Sequence, residues 1–581
     1  MRHNEPGLVP ALARLRVGFA NLLWFCYSAY MSRKWKRAAR NVAGVQSSVL
    51  QRILSGNRMC EFGREHHFSE IATIESYQQR VPARAYEDFE PYIERVADGM
   101  PKVLTVERVQ QFGLTSGSTQ ASKLVPYTKS LINEFQAGID PWVYYLFRSF
   151  PRIVSGKTYW SVTPVGERKS HTSGGIPIGF DDEQQYFSPL ARSVLGSIMA
   201  VPSSLAQLKD MDTFRYVALR LLLQEKSLAW VSVWNPSFLT LLLEPLVANF
   251  SHMIEDIRCG TLSVASQIES PLRDAILPLC KARPARAAEL ASFSHTWQGR
   301  PFTEPLLSGR TLYEAIWPRL RVISCWAHGS ATQALPALRA YFPHAAIQPK
   351  GLLATEAFVS FPFKNDLSAL SLLSHFFEFE EVDETEPVIQ LAHQLERGRR
   401  YAVITTTGGG LYRYRLNDVI EVGDFYRQCP LIRFVGRQSK VVDMCGEKLN
   451  EAFVRATVED ALATHQLKAS FWMMAPQWPD DARPFYILFM QVEVGMAVDE
   501  EQLQPLAREI DEAMQAGYHY EYARRLGQLA PCRLFIIAPE CDASHTYLTV
   551  CVSQGQRLGD IKPTALHAYQ GWAREFVGRF V

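Results

Sequence analysis

No two of the ten cysteines stand in C-x-x-C spacing, and none joins a histidine cluster at zinc-ligand distances. This argues against a structural zinc site, and the scattered thiols read as small apolar residues in a reducing compartment. A charge excess is missing too. With 61 basic and 59 acidic residues the net charge is +2, so no global field draws the chain to nucleic acid. There is no run of about 20 apolar residues, the length a bilayer-spanning helix needs. Internal repeats, low-complexity linkers and a Walker A loop are also lacking. What remains, at 581 residues with 47% apolar and 21% charged residues, is a folded protein too long for one core.

The N-terminus has an apolar stretch, Val17 to Met31, followed by five basic residues within Ser32 to Arg40. A secretory signal would carry its positive charge ahead of the apolar part and end in a small-residue cleavage site, and neither is clear. The stretch is too short for a stable membrane span. It is expected to be a helix packed on the main body, with weak membrane contact as the lesser alternative. The expected location is cytoplasmic.

Along the chain, residues 41–100 read as helical, with Gln46, Leu50, Ile53 and Leu54 at helical spacing. A helix is expected to begin near Lys129. Strand character follows at 158–165, at Trp230–Trp234 inside an otherwise helical stretch from 215 to 250, and at Leu320–Trp326. A strand-and-turn series occupies 352–436. The alternation predicts an α/β architecture: a large layered N-terminal domain of mixed sheets and helices, residues 1–436, and a smaller, mobile α/β C-terminal domain, residues 437–581.

The residues that carry chemistry begin with a loop. Phe112-Gly113-Leu114 leads into Thr115-Ser116-Gly117-Ser118-Thr119-Gln120-Ala121-Ser122-Lys123, where backbone amides, hydroxyls and one cation share a single turn. Polyphosphates are held by convergent donors of this kind. Next comes Gly351-Leu352-Leu353-Ala354-Thr355-Glu356; a carboxylate at a strand end suits Mg²⁺, which takes one or two protein carboxylates plus phosphate oxygens. After Gly408-Gly409-Gly410, a strand is expected to send Tyr412 and Tyr414 to one side and Arg413 and Arg415 to the other. Asp418 then follows, and its carboxylate can accept the paired hydroxyls of a ribose. Arg437, in Gly436-Arg437-Gln438-Ser439-Lys440, can reach ribose or phosphate from the domain boundary, and Lys562 lies on a late loop. Each motif taken singly has an ordinary explanation as a surface loop, hairpin turn or solvated side chain.

In this order they resemble the adenylate-forming superfamily, and within it the GH3 acyl acid–amido synthetases. Tyr86 to Ile93, His171 to Gly179, Trp317-Pro318 and Tyr520 to Arg524 extend the resemblance over most of the chain. It implies that Thr115, Ser116, Gly117, Ser118, Thr119 and Lys123 bind phosphate. It further implies that Thr355 and Glu356 form the family's hydroxyl–glutamate pair with Glu356 on Mg²⁺, that Asp418 binds ribose, and that Arg437 opens the hinge. Lys562 matches the late lysine that approaches the reacting carboxylate and α-phosphate. The tyrosine that often stacks on adenine is here Leu352, so the base is expected to rest on other surface around Gly329 and Leu353. Asn417 replaces a glycine before Asp418, and asparagine tolerates positive φ.

The function so implied is adenylation of a carboxylic acid by ATP with Mg²⁺, then transfer of the acyl group to an amine, an amino acid, releasing AMP. A CoA thiol as acceptor, or a nucleotide-binding homologue without turnover, are the alternatives. Trp230, Val233, Trp234 and Trp326 either line a pocket for the acid or are plain core. Acid, amine and oligomeric state are not legible in the residues.

Overall fold

Asn41 caps a helix at Val42–Asn57 (α2) through its side-chain oxygen on the Gly44 amide, and the preceding helix, Leu8–Ala38 (α1), carries the apolar N-terminal stretch. The computed structural model describes residues 8–581 except 115–122, 162–170, 180–194, 298–303, 305–309, 383–387, 438–440, 443, 446, 448, 480–482, 494–499, 526–527, 555 and 557–560. Residues 41–100 are helical as expected but broken into short pieces, because caps at Cys60 and Thr73 start new helices. Thr128 caps the long helix Lys129–Ser149 (α3), which begins where the sequence suggested.

The chain divides into two compact units. The first comprises Met1–His328, Ala334–Leu416 and Glu421–Phe434, and the second Gly329–Gln333, Asn417–Ile420 and Val435–Val581. A cut at 436/437 thus differs from this division chiefly in two short segments, which carry Gly329 and Asp418.

In the first unit a two-stranded antiparallel hairpin, Gln111–Leu114 (β1) and Leu124–Tyr127 (β2), brackets the hydroxyl-rich loop. Four parallel strands form one sheet in the order Lys157–Trp160 (β3), Leu228–Ser232 (β4), Val322–Cys325 (β5) and Ala346–Pro349 (β6). β4 is buried along its whole length, as a parallel strand covered on both faces must be. Helices Met211–Gln224, Pro236–Leu243 and Pro245–Cys259 supply the apolar cover. A seven-stranded sheet is built from Ser360–Lys364 (β7), Leu367–Leu370 (β8), Phe376–Glu381 (β9), Ile389–Leu391 (β10), Arg400–Thr406 (β11), Tyr414–Tyr426 (β12) and Cys429–Arg437 (β13). Their spatial order is β10-β9-β11-β12-β13-β8-β7. Gln46 joins α2 to this sheet: its amide donates to the carbonyls of Leu372 and His375 and accepts from the Phe377 amide, so a buried polar side chain is satisfied from both ends.

The second unit holds a two-residue pair, Val441–Val442 (β14) with Leu449–Asn450 (β15), and a four-stranded sheet in the order Ala469–Gln477 (β16), Phe485–Val492 (β17), Arg533–Ile537 (β18) and Gly578–Phe580 (β19). Its core includes Val454, Val458, Met474, Leu488, Leu506, Ile510 and Leu534. Mixed sheets with helices in both units make the α/β class plain.

Candidate active site

The triple-glycine turn is locked to the start of α3. Gly408 donates its amide to Glu134, and a Cβ there would come within 2.7 Å of the Glu134 carboxylate and 2.8 Å of the Ser130 Cβ, so a side chain would force α3 or the turn to shift. Glu134 also receives the Nδ1 hydrogen of His375 at 2.9 Å. The tautomer follows from the other ring nitrogen: the Phe358 amide donates to Nε2 at 3.0 Å, which must therefore carry the lone pair. Both side chains are buried. This network sets the position of the chain entering β12.

That entry differs from the alternation expected after the glycines. Arg413 has φ +51°, β12 begins only at Tyr414, and Arg413 is drawn inward onto Glu378 and the carbonyls of Gln78 and Val81. A buried guanidinium needs partners for its donors, and satisfying them overrides the regular pleat. Tyr412 is spent on the Leu104 carbonyl. Tyr414 alone reaches the expected motif, its phenol donating to Glu356 Oε1 at 3.2 Å.

Glu356 lies in a tight turn closed by the Ala354 amide on the Ala357 carbonyl. Gly351 precedes it where a Cβ would strike the Ser360 carbonyl at 2.0 Å, so the strand passes against β7 only without a side chain. The Thr355 carbonyl accepts the Tyr127 phenol, which fastens this turn to β2. Glu356 is buried, and Leu353 is half-buried and bridged to Phe358.

Tyr86 stands beside the same hairpin. Its hydroxyl accepts the Leu124 amide at 2.8 Å, and burial, with Glu90 and Glu356 among the nearby charges, pushes its phenol up to about 12. Lys123 places its ammonium 4.7 Å from the Tyr86 ring centre and 3.0 Å from Glu87. Glu87 is held below the usual carboxylate range by its own backbone amide and by Lys123. Lys123 thus lies against Tyr86, and β2, which follows the hydroxyl-rich loop, is fastened at Leu124 to Tyr86 and at Tyr127 to the turn that carries Glu356. Thr115, Ser116, Gly117, Ser118 and Thr119 themselves lie outside the described residues, as do Ser439 and Lys440.

In the second unit Arg437 Nε sits 3.2 Å from Asp418 Oδ1, the carboxylate buried and the guanidinium part-exposed. Asn417 has φ +60°, the left-handed backbone its side chain tolerates. Gly329 opens a short 3₁₀ turn, Gly329–Ala334. Lys562 is exposed, while the backbone around it is fastened: its carbonyl accepts the Tyr547 phenol, Thr564 donates to Glu451, and Met474 on β16 pairs with Ala565 and His567.

Residues 32–347 match the GH3 family N-terminal domain, and residues 368–437 the GH3 family central domain. The chain belongs to the GH3 family. It is 27% identical over 459 residues to the probable indole-3-acetic acid-amido synthetase GH3.2 of Oryza sativa subsp. japonica, covering 73% of this chain and 70% of that protein. Against indole-3-acetic acid-amido synthetase GH3.10 of Arabidopsis thaliana the identity is 26% over 547 residues, 87% of this chain and 89% of the relative. The solved AtGH3.15 acyl acid amido synthetase in complex with 2,4-DB shares the fold, with a TM-score of 0.79 at 20% identity over 94% of this chain and 95% of that one.

In this GH3 protein the tryptophans differ in burial. Trp230 is fully buried among Trp24, Trp142 and Trp160, with ring centres 5.4 to 6.5 Å apart, and is core. Trp234 and Trp326 are half-buried and 5.6 Å apart, with the Lys350 ammonium 4.0 Å from the Trp234 ring centre. The sequence alone gives no role to Tyr86, Glu87, Tyr127 or Tyr414 at the site. Only their nearness to the two motifs in space distinguishes them from ordinary aromatic and surface residues. Among the described residues no group of three metal-ligating side chains occurs. A lone buried carboxylate suits a Mg²⁺ delivered with a polyphosphate, which keeps most of its coordination on phosphate and water.

Proposed function

We propose that this GH3 protein is an amide-forming ligase that activates a carboxylic acid with ATP and passes the acyl group to an amine, an amino acid. The acid's oxygen attacks the α-phosphorus, pyrophosphate leaves, the amine attacks the acyl carbon of the mixed anhydride, and AMP leaves with the carbonyl restored. The observation that carries this reading is that β2, which follows the Thr115–Ser122 loop and Lys123, is fastened by Tyr127 to the turn carrying Glu356 and by Leu124 to Tyr86, against whose ring Lys123 lies.

Glu356 is assigned to Mg²⁺, which supplies positive charge to the phosphate oxygens when bound. Lys123 and the loop amides hold the polyphosphate. Its pairing with Glu87 is between groups that both keep contact with solvent, worth about 0–1 kcal/mol, and so yields readily to a phosphate. Asp418 takes the ribose hydroxyls, with Arg437 holding its carboxylate in place. Lys562 completes the charge on the transferring group when the C-terminal domain rotates near 437–440. No side-chain nucleophile is required. A cytoplasmic setting is part of this proposal, on the scattered spacing of the ten cysteines.

The test is ATP–pyrophosphate exchange with a panel of carboxylic acids, followed by mass spectrometry of conjugates formed with amino acids and, in a parallel arm, with CoA. Exchange that depends on one class of acid and an amide product are expected. A panel that supports no exchange overturns the reading, and thioester without amide overturns the acceptor.

A further inference from the structure

α1 is apolar on two faces, and the body of the protein covers only one. Its inner face is buried against the body: Asn21 donates to the carbonyls of Val154 and Gly156 at 2.7 and 3.1 Å, Trp35 donates to the Leu370 carbonyl, and Trp24 packs on Phe147 and Trp160. These contacts fix the helix about its axis. Leu15, Phe19, Leu22, Leu23, Tyr27 and Tyr30 therefore face solvent, with Leu15 and Phe19 69% and 63% exposed. Their spacing, in steps of four, three, one, four and three, is one continuous helical stripe. Continued by three, one and three residues, the stripe reaches Arg33, Lys34 and Arg37, all exposed. No acidic residue occurs anywhere in the helix.

We propose that this outer stripe lies in the headgroup layer of an anionic lipid bilayer and holds the protein at a membrane surface. A helix apolar all round is otherwise a buried one, and among the described residues nothing buries this face. Leucines and aromatic rings at the acyl boundary with cations at the phosphates is how interfacial helices bind. Lys34 already lies along the Tyr30 ring, 4.7 Å from its centre, an aromatic-to-cation step that matches the passage from acyl boundary to headgroup. Spanning is excluded by geometry, because the opposite face is committed to the protein, and no single described helix is long and apolar enough to cross. Charge separates lipid from a second copy of the chain: a partner with the same stripe brings no negative charge to Arg33, Lys34 and Arg37, whereas phosphatidylserine does.

The experiment is co-sedimentation of the full chain with phosphatidylcholine vesicles, with and without about 30% phosphatidylserine, at low and high salt. Salt-sensitive binding to the anionic vesicles is expected. A Phe19→Ser, Leu22→Ser, Leu23→Ser variant should lose at least about tenfold in partitioning, since three inserted apolar groups are removed. An Arg33→Gln, Lys34→Gln, Arg37→Gln variant should lose most of the preference for anionic over neutral vesicles. Light scattering and thermal denaturation are run on all three proteins. Absence of vesicle binding by the wild type, a folded charge variant that binds anionic vesicles as tightly as the wild type does, or a dimer that the serine variant dissolves without vesicle binding by the wild type would each overturn the proposal.

Discussion

The Tyr414 phenol meets Glu356 Oε1 at 3.2 Å, joining the strand that leaves the glycine turn to the turn that ends the Gly351–Glu356 motif. Two segments distant in the chain thereby share one carboxylate. The donor is neutral, so the bond orients Glu356 without opposing its charge, and a carboxylate so held can serve a cation brought by substrate.

Glu356→Gln keeps the shape and the Tyr414 bond but removes the negative charge. Acid-dependent ATP–pyrophosphate exchange should fall by about 100-fold or more. Tyr414→Phe removes one hydrogen bond and should cost about 1 kcal/mol, or roughly fivefold to tenfold. If the glutamine variant exchanges at the wild-type rate, Glu356 is not the magnesium contact.

Lys123 and Glu87 should respond with opposite signs. Lys123→Ala weakens ATP binding measured by titration calorimetry, because a phosphate contact is lost. Glu87→Gln leaves ATP binding unchanged or tighter, because the ammonium no longer has to leave a carboxylate. Unfolding should shift by no more than about 1 kcal/mol in either variant, since both groups keep solvent contact. Equal loss of ATP affinity in both would mean that the pair acts as a structural unit.

Lys562→Ala should leave the melting temperature and ATP affinity intact, because the side chain is exposed and its segment is held by backbone and neighbouring contacts. Exchange should drop by about 100-fold. Near-normal exchange would remove Lys562 from the reaction.

Asp140, on α3, gives a pH test of stability. Burial pushes its carboxyl up to about 7, against a hydrogen bond from Gln136 that lowers it, and its Oδ2 finds no partner among the described residues. The folded protein therefore holds a proton that the unfolded chain releases near 3.8. Stability is unaffected below that value and level above about 7. Between the two it falls as pH rises, at up to about 1.4 kcal/mol for each pH unit. Asp140→Asn mimics the protonated side chain. Urea unfolding should show it close to wild type near pH 4 and more stable at pH 8, and a variant weakened equally at both would refute the assignment.

Glycine and cap chemistry made several elements legible in advance. Thr128 ahead of Lys129 marks the start of α3, and Asn417 before Asp418 announces a left-handed residue, which its φ of +60° bears out. Helical spacing placed Gln46 on the buried face of α2, though not its bonds to the Leu372 and His375 carbonyls and the Phe377 amide. Arg413 was beyond such reasoning: alternation puts it with Arg415 on the side opposite the tyrosines, but desolvation of a guanidinium obliges it to collect Glu378 and two carbonyls, partners supplied by distant stretches of chain. Tyr86 and Tyr127 escaped for the same reason, since a tyrosine reveals its hydrogen-bond partner only when distant backbone arrives.

By itself the order of residues determined the class of fold and the family, and it supplied the kinds of group proposed for phosphate and metal, because these depend on local conformation and side-chain chemistry. The folded molecule alone decided which tryptophans are core, which tyrosine holds Glu356, and which face of α1 is left uncovered. Those outcomes depend on burial, and burial is a property of segments brought together across the chain rather than of any stretch read alone.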